Sequence, residues 1–417
     1  MSDETDAITF QVVKTLVGSS SRLLAKRHGA ANVQENTVIM SCCSSRKLRD
    51  SLAHDGFLCV HEFSILPSRH HIRWLMPANA SLMLSGLQMY APFSLRARLL
   101  KAVIVGLAKL GWKGWSGAKI IVASKSPLPL QLLVTEITGE QKPKFAFSFG
   151  NLEALRMMTV QVMRSSGEVL GYMKLPLSLA ASQAVRHEAS MLNYLWEESP
   201  RLRNNIPRVF HSGEWDDGFL LFESSGPSRS GPLRFGKMHS EFLKQLEQVG
   251  TVQKSGSALV EDTAASWQKM EGRLSAEWQS LGREVLAQAT ALLDGAAFPC
   301  GVVHGDFAPW NTRQENGQLF VFDWESAKWR SPRVWDVFRF HDRVSVLLNQ
   351  TQVSYPRDLI SNREKGLFLL YCLESVCDAK AHGGRYLDAK TEYHKNQLLR
   401  CLQQVRSRLV QEGVPLF

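Results

Sequence analysis

The order of strand-like and helix-like segments is the feature of this chain that most constrains its fold. From about residue 131 short apolar runs alternate with turn residues, which predicts strands over 132–138, 144–149, 157–163, 169–175 and 219–222. A long helix is predicted at 179–196, and from Gly236 onward the pattern is mostly helical. Strands followed by helices favour an α+β protein with an antiparallel sheet over a parallel α/β sheet.

The length of the chain indicates more than one compact part. A chain of 417 residues exceeds a typical single domain. Residues 1–130 alternate short strand-like runs with turns and then a basic helix, so we predict an N-terminal extension of unknown role there. We predict a first lobe over 131–226 and a second lobe over 227–417, with no internal repeat or low-complexity tract.

One short stretch of the second lobe carries several groups suited to one kind of chemistry. It reads His304-Gly305-Asp306-Phe307-Ala308-Pro309-Trp310-Asn311, and Asp323-Trp324-Glu325 follows twelve residues after the Asn. A carboxylate can accept a hydroxyl proton, while amide and carboxylate oxygens suit the hard Mg²⁺ ion. Phosphoryl transfer needs such positioning and charge neutralisation more than covalent chemistry from the protein.

A predicted hairpin explains how the two halves of this stretch could meet. Asn316-Gly317 is a strong signal for a two-residue turn, because both residues tolerate a positive φ. If Glu315 pairs with Gln318, Asn311 is one residue away from the position that lies opposite Asp323. Simple alternation would place these two on opposite faces, so Asn311 must lie in the loop before regular pairing begins. A hairpin whose polar residues only cap turns remains the plainer alternative.

The pattern His-Gly-Asp-x-x-Pro-x-Asn followed by Asp-Trp-Glu resembles the aminoglycoside phosphotransferase and choline kinase family, distant relatives of the protein kinases. The resemblance covers about residues 140–345. It implies a two-lobed protein-kinase-like fold, with an antiparallel sheet in the small lobe and a mostly helical large lobe. It also implies ATP-dependent transfer of a phosphoryl group to a hydroxyl of a small molecule.

The resemblance assigns roles residue by residue. Asp306 is the expected catalytic base, and Asn311 and Asp323 are the expected Mg²⁺ ligands. His304 is expected to hold the loop by hydrogen bonds and Pro309 to stiffen its turn. Asp336, in a Pro-x-x-x-Asp sequence with one residue more than the family pattern, is expected to bind the loop from the next helix.

The first lobe should supply a cation for the nucleotide. Lys174 lies near the end of an apolar strand, and Glu188 is the lone acid on an otherwise apolar face of the following helix. Their positions match the Lys–Glu ion pair of kinases, so both are predicted at the nucleotide site; a surface lysine and a surface glutamate are the alternative. The phosphate loop is expected at 150–156, without the glycine-rich pattern of protein kinases, and the hinge at 222–226.

Charge is concentrated in the N-terminal part. Residues 1–130 hold 16 basic and 7 acidic side chains, a difference of +9 out of the net +10, and no Asp or Glu occurs from 64 to 135. Segment 96–119 combines an apolar centre, flanking cations, Trp112 and Trp115. Three interpretations are open for this segment: a core helix, a contact with an anionic membrane surface, or a site for an anionic ligand. No motif for nucleic acid is present.

Other features of the sequence favour a cytoplasmic protein. The protein would be peripheral at a membrane if segment 96–119 contacts one. The seven cysteines form no C-x-x-C pair, the first residues are unlike a signal peptide, and no run suits a spanning helix. The acceptor stays open among sugars, glycan precursors and amino alcohols, as does the oligomeric state. A non-catalytic nucleotide-binding scaffold and an aminoglycoside-resistance kinase are the alternative functions.

Overall fold

The computed structural model describes residues 14–16, 23–25, 38–41, 46–57, 59–68, 71–90, 92, 95–110, 119–149, 157–215, 218–348, 359, 361–382 and 387–411. The chain divides into two compact units. The first comprises Met1–Asn193 with Pro207–Ser228, and the second comprises Tyr194–Ile206 with Arg229–Phe417.

Ten strands form one sheet in the described residues of the first unit. They are β1 Leu23–Ala25, β2 Val38–Ser41, β3 Cys59–Ser68, β4 His71–Pro77, β5 Lys119–Ser124, β6 Lys144–Phe149, β7 Met157–Met163, β8 Val169–Pro176, β9 Val209–Trp215 and β10 Gly218–Ser224. Their order is β1-β2-β5-β3-β4-β6-β7-β8-β10-β9. Only the β1–β2 pair is parallel among the described strands.

Helices accompany this sheet in the described part of the first unit. They are α1 Arg46–His54, α2 Ala80–Gly86, α3 Leu95–Lys109, α4 Pro129–Thr138 and α5 Leu179–Glu198, of which α5 ends in the second unit. The predicted long helix is thus present as α5. Phe145, Phe147, Met158, Val160 and Met173 lie in the main core of the unit because alternate side chains of the strands face it.

The predicted strand at 132–138 is wrong, since these residues lie in α4. Valine, threonine and isoleucine favour strands, but the helix-start signals here are stronger. Pro129 is the first helical residue, where its missing N–H costs nothing. Gln131 accepts a hydrogen bond from the N–H of Leu128 at 2.9 Å, and Gly139 ends the helix at φ 74°.

The sheet runs without interruption from the N-terminal part into the first lobe. Strand β4 pairs with β6 through Trp74–Ser148 and Leu75–Phe147. The side-chain amide of Gln161 on β7 donates to the carbonyl of Ser85 on α2 at 2.8 Å. Residues before and after position 130, the boundary predicted between extension and lobe, therefore share one sheet and one hydrogen-bond network.

The second unit is mostly helical. Its helices are α6 Lys237–Leu246, α7 Gly256–Glu271, α8 Ala276–Leu293, α9 Val334–Leu348, α10 Asn362–His382 and α11 Leu387–Gln411. A three-stranded sheet joins β11 Val252–Ser255, β12 Ala297–Val303 and β15 Lys328–Pro332, and a hairpin joins β13 Thr312–Glu315 and β14 Gln318–Val321. Helices α7, α8, α10 and α11 enclose its main core. An antiparallel sheet in one unit and helices in the other confirm the predicted α+β class.

Within the described ranges, no helix combines the length and the apolar character needed to cross a bilayer.

Candidate active site

A loop between β12 and the β13–β14 hairpin carries most of the predicted site residues. Strand β12 ends at Val303, and His304, Gly305 and Asp306 follow at once. Gly305 has φ 76°, and a Cβ atom there would lie 1.9 Å from the carbonyl oxygen of Ser326. Only glycine fits this tight approach of two backbone segments, so the glycine sets the path of the loop that presents Asp306.

Asp336 fastens this loop from helix α9. Its Oδ2 accepts from the backbone N–H of His304 at 2.8 Å and its Oδ1 from that of Gly305 at 3.0 Å. Burial raises the pKa of Asp336, whereas His304, these two N–H groups and Arg339 act in the opposite direction. The predicted hydrogen bonds between Asp336 and the catalytic loop are therefore present.

The His304 side chain connects both ends of the site. Its Nδ1 accepts from the N–H of Asp306 at 3.2 Å, and its Nε2 lies 3.0 Å from the carbonyl oxygen of Phe322. Since Nδ1 accepts, the ring carries its proton on Nε2 and donates it to Phe322. The buried ring also lies 4.7 Å from that of Trp324, centroid to centroid. These contacts give His304 a structural part in holding the loop.

Asn311 is held directly against Asp306. Pro309 begins the 3-10 turn Pro309–Asn311, and Asn311 donates from Nδ2 to the Asp306 carbonyl at 2.9 Å and to Asp306 Oδ2 at 3.0 Å. The amide nitrogen is fully used, while no donor contacts Asn311 Oδ1 in the part of the chain that the structure describes. That oxygen is the atom that the predicted metal-binding role requires.

The hairpin brings the residue that precedes Asp323 beside Asn311. Residues pair as Glu315–Gln318 through Thr312–Val321, which is the predicted register, and Asn316 and Gly317 both have positive φ. Phe322 donates its N–H to the Asn311 carbonyl at 3.1 Å, so Asn311 lies beside the residue that precedes Asp323. Asp323 itself has φ 72° and ψ 62°, a left-handed conformation that Asp tolerates better than most residues.

One residue of this cluster was not predicted from the sequence. Arg343 on α9 forms an ion pair from Nη2 to Oδ1 of Asp306, and its buried Nε has no hydrogen-bond partner among the described residues. A signal existed in the spacing, since Arg343 lies seven residues after Asp336 and therefore on the same face of α9. From that face, Asp336 thus contacts the backbone of the loop, and Arg343 contacts the carboxylate of Asp306.

The predicted Lys174–Glu188 pair lies in the first unit. Lys174 Nζ on β8 is 2.7 Å from both Oε1 and Oε2 of Glu188 on α5. Only 8% of the Lys174 side chain and none of the Glu188 side chain is exposed. The ion pair is present, which rules out the alternative of two surface residues; a role in nucleotide binding remains a prediction.

Two other predicted features differ in how far the structure describes them. The expected phosphate loop at 150–156 lies outside the described residues. In the hinge segment, Ser225 donates from its N–H to the Leu170 carbonyl at 3.4 Å and from its hydroxyl to the Val169 carbonyl at 3.1 Å. These bonds tie the end of β10 to β8 and assign no ligand contact.

The carboxylate of Asp306 and the side-chain amide of Asn311 are joined by hydrogen bonds on one loop. Residues 172–350 match the model of the phosphotransferase enzyme family. This match covers less than half of the chain. It confirms the predicted resemblance, the kinase-like fold and the prediction that the chain is a phosphotransferase.

Solved structures of aminoglycoside phosphotransferases are similar to this chain. A thermostable mutant of aminoglycoside phosphotransferase APH(4)-Ia, in a ternary complex with ADP and hygromycin B, is 12% identical with a TM-score of 0.48, covering 66% of this chain and 98% of that chain. A mutant of aminoglycoside 2'-phosphotransferase-IIIa with GDP is 12% identical with a TM-score of 0.41, covering 65% and 97%. No curated protein matches the chain.

Proposed function

We propose that this protein transfers the γ-phosphoryl group of ATP to a hydroxyl group of a small molecule. The family match supports the class of reaction. The observation that carries the proposal is the orientation of Asn311, whose amide nitrogen binds Asp306 and so leaves its oxygen for a cation. A catalytic base and a metal ligand held in one hydrogen-bonded unit suit a reaction in which positioning does most of the work.

Asp306 is the proposed base. Arg343 holds its Oδ1 and Asn311 its Oδ2, yet each carboxylate oxygen has a second lone pair. The acceptor hydroxyl can therefore donate to Asp306 while both neighbours keep the carboxylate in place. The proton transfers to Asp306 as the oxygen attacks the phosphorus, and the bond from phosphorus to the bridging oxygen of ADP breaks.

Asn311 and Asp323 are the proposed ligands of Mg²⁺. Their oxygen atoms fit its preference, and two protein ligands suit an ion that also takes phosphate oxygens and water. When bound, the ion supplies positive charge to the phosphate oxygens. Lys174, kept in one orientation by Glu188, is proposed to contact the nucleotide phosphates.

Thermal denaturation with nucleotide tests this assignment. Saturating ATP with Mg²⁺ should stabilise the protein by about 3 kcal/mol at a hundredfold excess over Kd, and ATP with EDTA should stabilise it much less. Equal stabilisation in EDTA would contradict Asn311 and Asp323 as metal ligands. An ADP-release assay over sugars, amino alcohols and aminoglycosides should then identify an acceptor. ATP binding without turnover of any acceptor would favour the scaffold alternative.

We propose further that helix α3 contacts an anionic membrane surface. The helix packs Ile104 and Ala108 into a core with Met76 and Met83, so it is in part a core helix. Its other side exposes an apolar face: Leu99 (67% exposed), Leu100, Val103 and the following Leu110 (85% exposed). Trp112 and Trp115 lie outside the described residues.

Charge complementarity supports a bilayer as the partner. Arg96, Arg98 and Lys109 are exposed beside the apolar face, and no acidic residue occurs from 64 to 135. Exposed apolar side chains flanked by cations suit the interface of an anionic membrane.

Vesicle sedimentation tests this contact. The protein should sediment with phosphatidylserine vesicles at low salt and be released as salt rises. Val103→Glu should abolish sedimentation, whereas Leu132→Glu, which changes a leucine of α4 that is 54% exposed, should leave it intact. Failure to bind at any ionic strength would leave α3 as a core helix only.

A further inference from the structure

A buried carboxylate on α9 binds side chains of α10 and α11. Asp342 Oδ2 accepts a hydrogen bond from the Tyr371 hydroxyl of α10 at 2.7 Å and another from Nε2 of His394 of α11 at 2.8 Å. All three side chains are almost fully buried. Three helices of the second unit thus meet at one oxygen atom. We call these three residues the Asp342 junction.

The carboxylate of the Asp342 junction is ionised although it is buried. Burial raises the pKa of Asp342, but His394, Tyr371 and Arg339 together outweigh this effect, so the pKa lies below its ordinary value. Burial also raises the pKa of Tyr371, so its hydroxyl keeps the proton that it donates. Hydrogen bonds to a charged acceptor are stronger than those between neutral groups. The junction therefore joins the three helices by strong, directional contacts.

The Asp342 junction is a costly way to hold helices together. Removing a charged group from water is unfavourable, and apolar residues of similar volume often replace buried charged clusters without loss of stability. Apolar contacts are not directional, however, so they allow a helix several rotations of similar energy. Two hydrogen bonds with narrow distance ranges restrict the helix to one of these rotations. The junction is thus suited to fixing the rotation of α9 about its axis.

The rotation of α9 matters because another face of this helix contacts the loop of Asp306. Arg343 directly follows Asp342, is turned from it by about 100° around the helix axis, and forms the ion pair with Asp306. Asp336 lies nearly two turns earlier on the face of Arg343, and it binds the loop by hydrogen bonds of its own. Asp342 therefore fixes the turn of α9 that carries Arg343.

A small rotation of α9 would disturb the ion pair. Helix side chains extend to about 6 Å from the helix axis, so a rotation of about 10° moves the guanidinium group of Arg343 by about 1 Å. The donor–acceptor distances of good hydrogen bonds span only a few tenths of an ångström. The contact between Arg343 and Asp306 thus depends on the rotation that the Asp342 junction fixes.

We propose that Asp342 is a positioning residue: by binding Tyr371 and His394 it fixes the rotation of α9 and thereby directs Arg343 to Asp306. Asp342 acts through Arg343 and is assigned no contact with a substrate. The inference rests on the proposed function in one respect, the role of Asp306 as the base. It gives helices α10 and α11 a part in holding that base.

Nitrogen NMR tests the positioning without an acceptor. In protein with ¹⁵N-labelled arginine, the Nε resonance of Arg343, assigned with Arg343→Lys, should shift in Asp342→Ala. It should shift much less in Asp342→Asn, because the amide oxygen of asparagine can accept the same two hydrogen bonds. Both variants remove the same charge. An unchanged resonance in Asp342→Ala, or an equal shift in both variants, would refute the proposal whether or not Asp306 is the base.

Steady-state kinetics with an identified acceptor tests the consequence for catalysis. Asp342→Ala should lower kcat about tenfold, the loss expected for Arg343→Ala, and leave the KM for ATP unchanged. Asp342→Asn should recover most of kcat. The double variant Asp342→Ala/Arg343→Ala should be no slower than Arg343→Ala, because Asp342 acts through that side chain.

Loss of about a hundredfold in the double variant would mean that the two residues act independently, which would overturn the proposal. Wild-type turnover in Asp306→Asn would refute the proposed base instead, and the NMR comparison would still decide the positioning.

Two further variants separate positioning from a general loss of stability. Tyr371→Phe removes one of the two hydrogen bonds, so it should shift the Arg343 resonance in the same direction by a smaller amount. If Asp342→Ala does not fold, an unshifted resonance in Tyr371→Phe would refute the proposal. Val285→Ala, in α8 of the same core, should lower the melting temperature but leave kcat and the Arg343 resonance unchanged. An equal loss of kcat in Val285→Ala would assign the effect to destabilisation.

Discussion

Two ion pairs of this protein have the same chemistry and opposite surroundings. In the first unit, Lys174 and Glu188 form a pair with 8% and 0% of their side chains exposed, here called the buried pair. In the second unit, Arg343 and Asp306 form a pair with 27% and 21% exposed, here called the open pair. Water screens the open pair and scarcely reaches the buried one.

These surroundings determine what each pair can do. Neither partner of the buried pair can lose the other without leaving a charge in a poorly solvated place. The buried pair therefore fixes the position of an ammonium group. Partners of the open pair can exchange their contact for water or for a ligand at little cost. The open pair is thus suited to a carboxylate that must meet a substrate.

The largest expected effect comes from replacing the carboxylate of the open pair, the proposed base. Asp306→Asn keeps the shape of the side chain but removes the proposed base and replaces one of the two accepting oxygens, so turnover should fall by roughly two to four orders of magnitude, while affinity for ATP with Mg²⁺ changes little. Asp323→Asn should impair both, since it removes a proposed metal ligand. Steady-state kinetics with an identified acceptor and calorimetry with ATP measure the two effects.

Asp294→Asn, at an exposed position after α8, is the control for both substitutions. Wild-type turnover in Asp306→Asn would refute the proposed mechanism.

Breaking the buried pair should mainly affect stability. Lys174→Ala or Glu188→Ala leaves one charge buried, which should lower the free energy of unfolding by about 3 to 5 kcal/mol. The double variant Lys174→Met/Glu188→Leu should recover most of that loss because no charge remains. Urea unfolding of the three variants, with Lys142→Ala as an exposed control, measures this. A loss below about 1 kcal/mol in both single variants would place the pair with surface ion pairs.

At acid pH, a different group should lower the stability of the unit that contains the buried pair. The pKa of His61 falls from 6.5 to about 4 on folding, so the unfolded chain binds more protons between these values. Stability from this group is complete above about pH 6.5 and declines as pH falls toward 4, by about 3 kcal/mol in all.

Unfolding measured from pH 7 to pH 4 should show this loss, and His61→Gln should reduce the slope. An equal slope in the variant would assign the acid sensitivity to other groups.

The smallest effect should come from replacing Arg343, the other residue of the open pair. Arg343→Ala should change the free energy of unfolding by less than about 1 kcal/mol. Turnover should fall about tenfold, as expected for one lost charged hydrogen bond that positions Asp306. The KM for ATP should stay unchanged, and Arg343→Lys should restore part of kcat. A change confined to the KM for ATP would instead place Arg343 at the nucleotide.

Local patterns in the sequence predicted some contacts well. The Asn316-Gly317 turn fixed the hairpin register, and the spacing of Lys174 and Glu188 on adjoining elements predicted their ion pair. Such contacts follow from turn geometry or from the period of one helix. The roles assigned to these residues in catalysis and in nucleotide and metal binding remain predictions.

Other features required information that local patterns do not contain. At 132–138, strand propensity was outweighed by the cap at Gln131 and the turn at Gly139. The pairing of β4 with β6 joins segments about seventy residues apart, and no side-chain pattern specifies which strand edges meet. Arg343 was missed for a similar reason, because its partner lies 37 residues away in sequence.

The pairing of β4 with β6 also decides how much of the chain can be removed. A chain cut at residue 130, to keep only the part that resembles a minimal kinase, would lose β4 and leave β6 as the edge of its sheet. β6 reads Lys-Phe-Ala-Phe-Ser-Phe, with one charge at its start and aromatic side chains at alternate positions. An exposed edge of this composition invites pairing with other chains. The shortened protein should therefore aggregate, because in the full chain β4 pairs with this edge of β6.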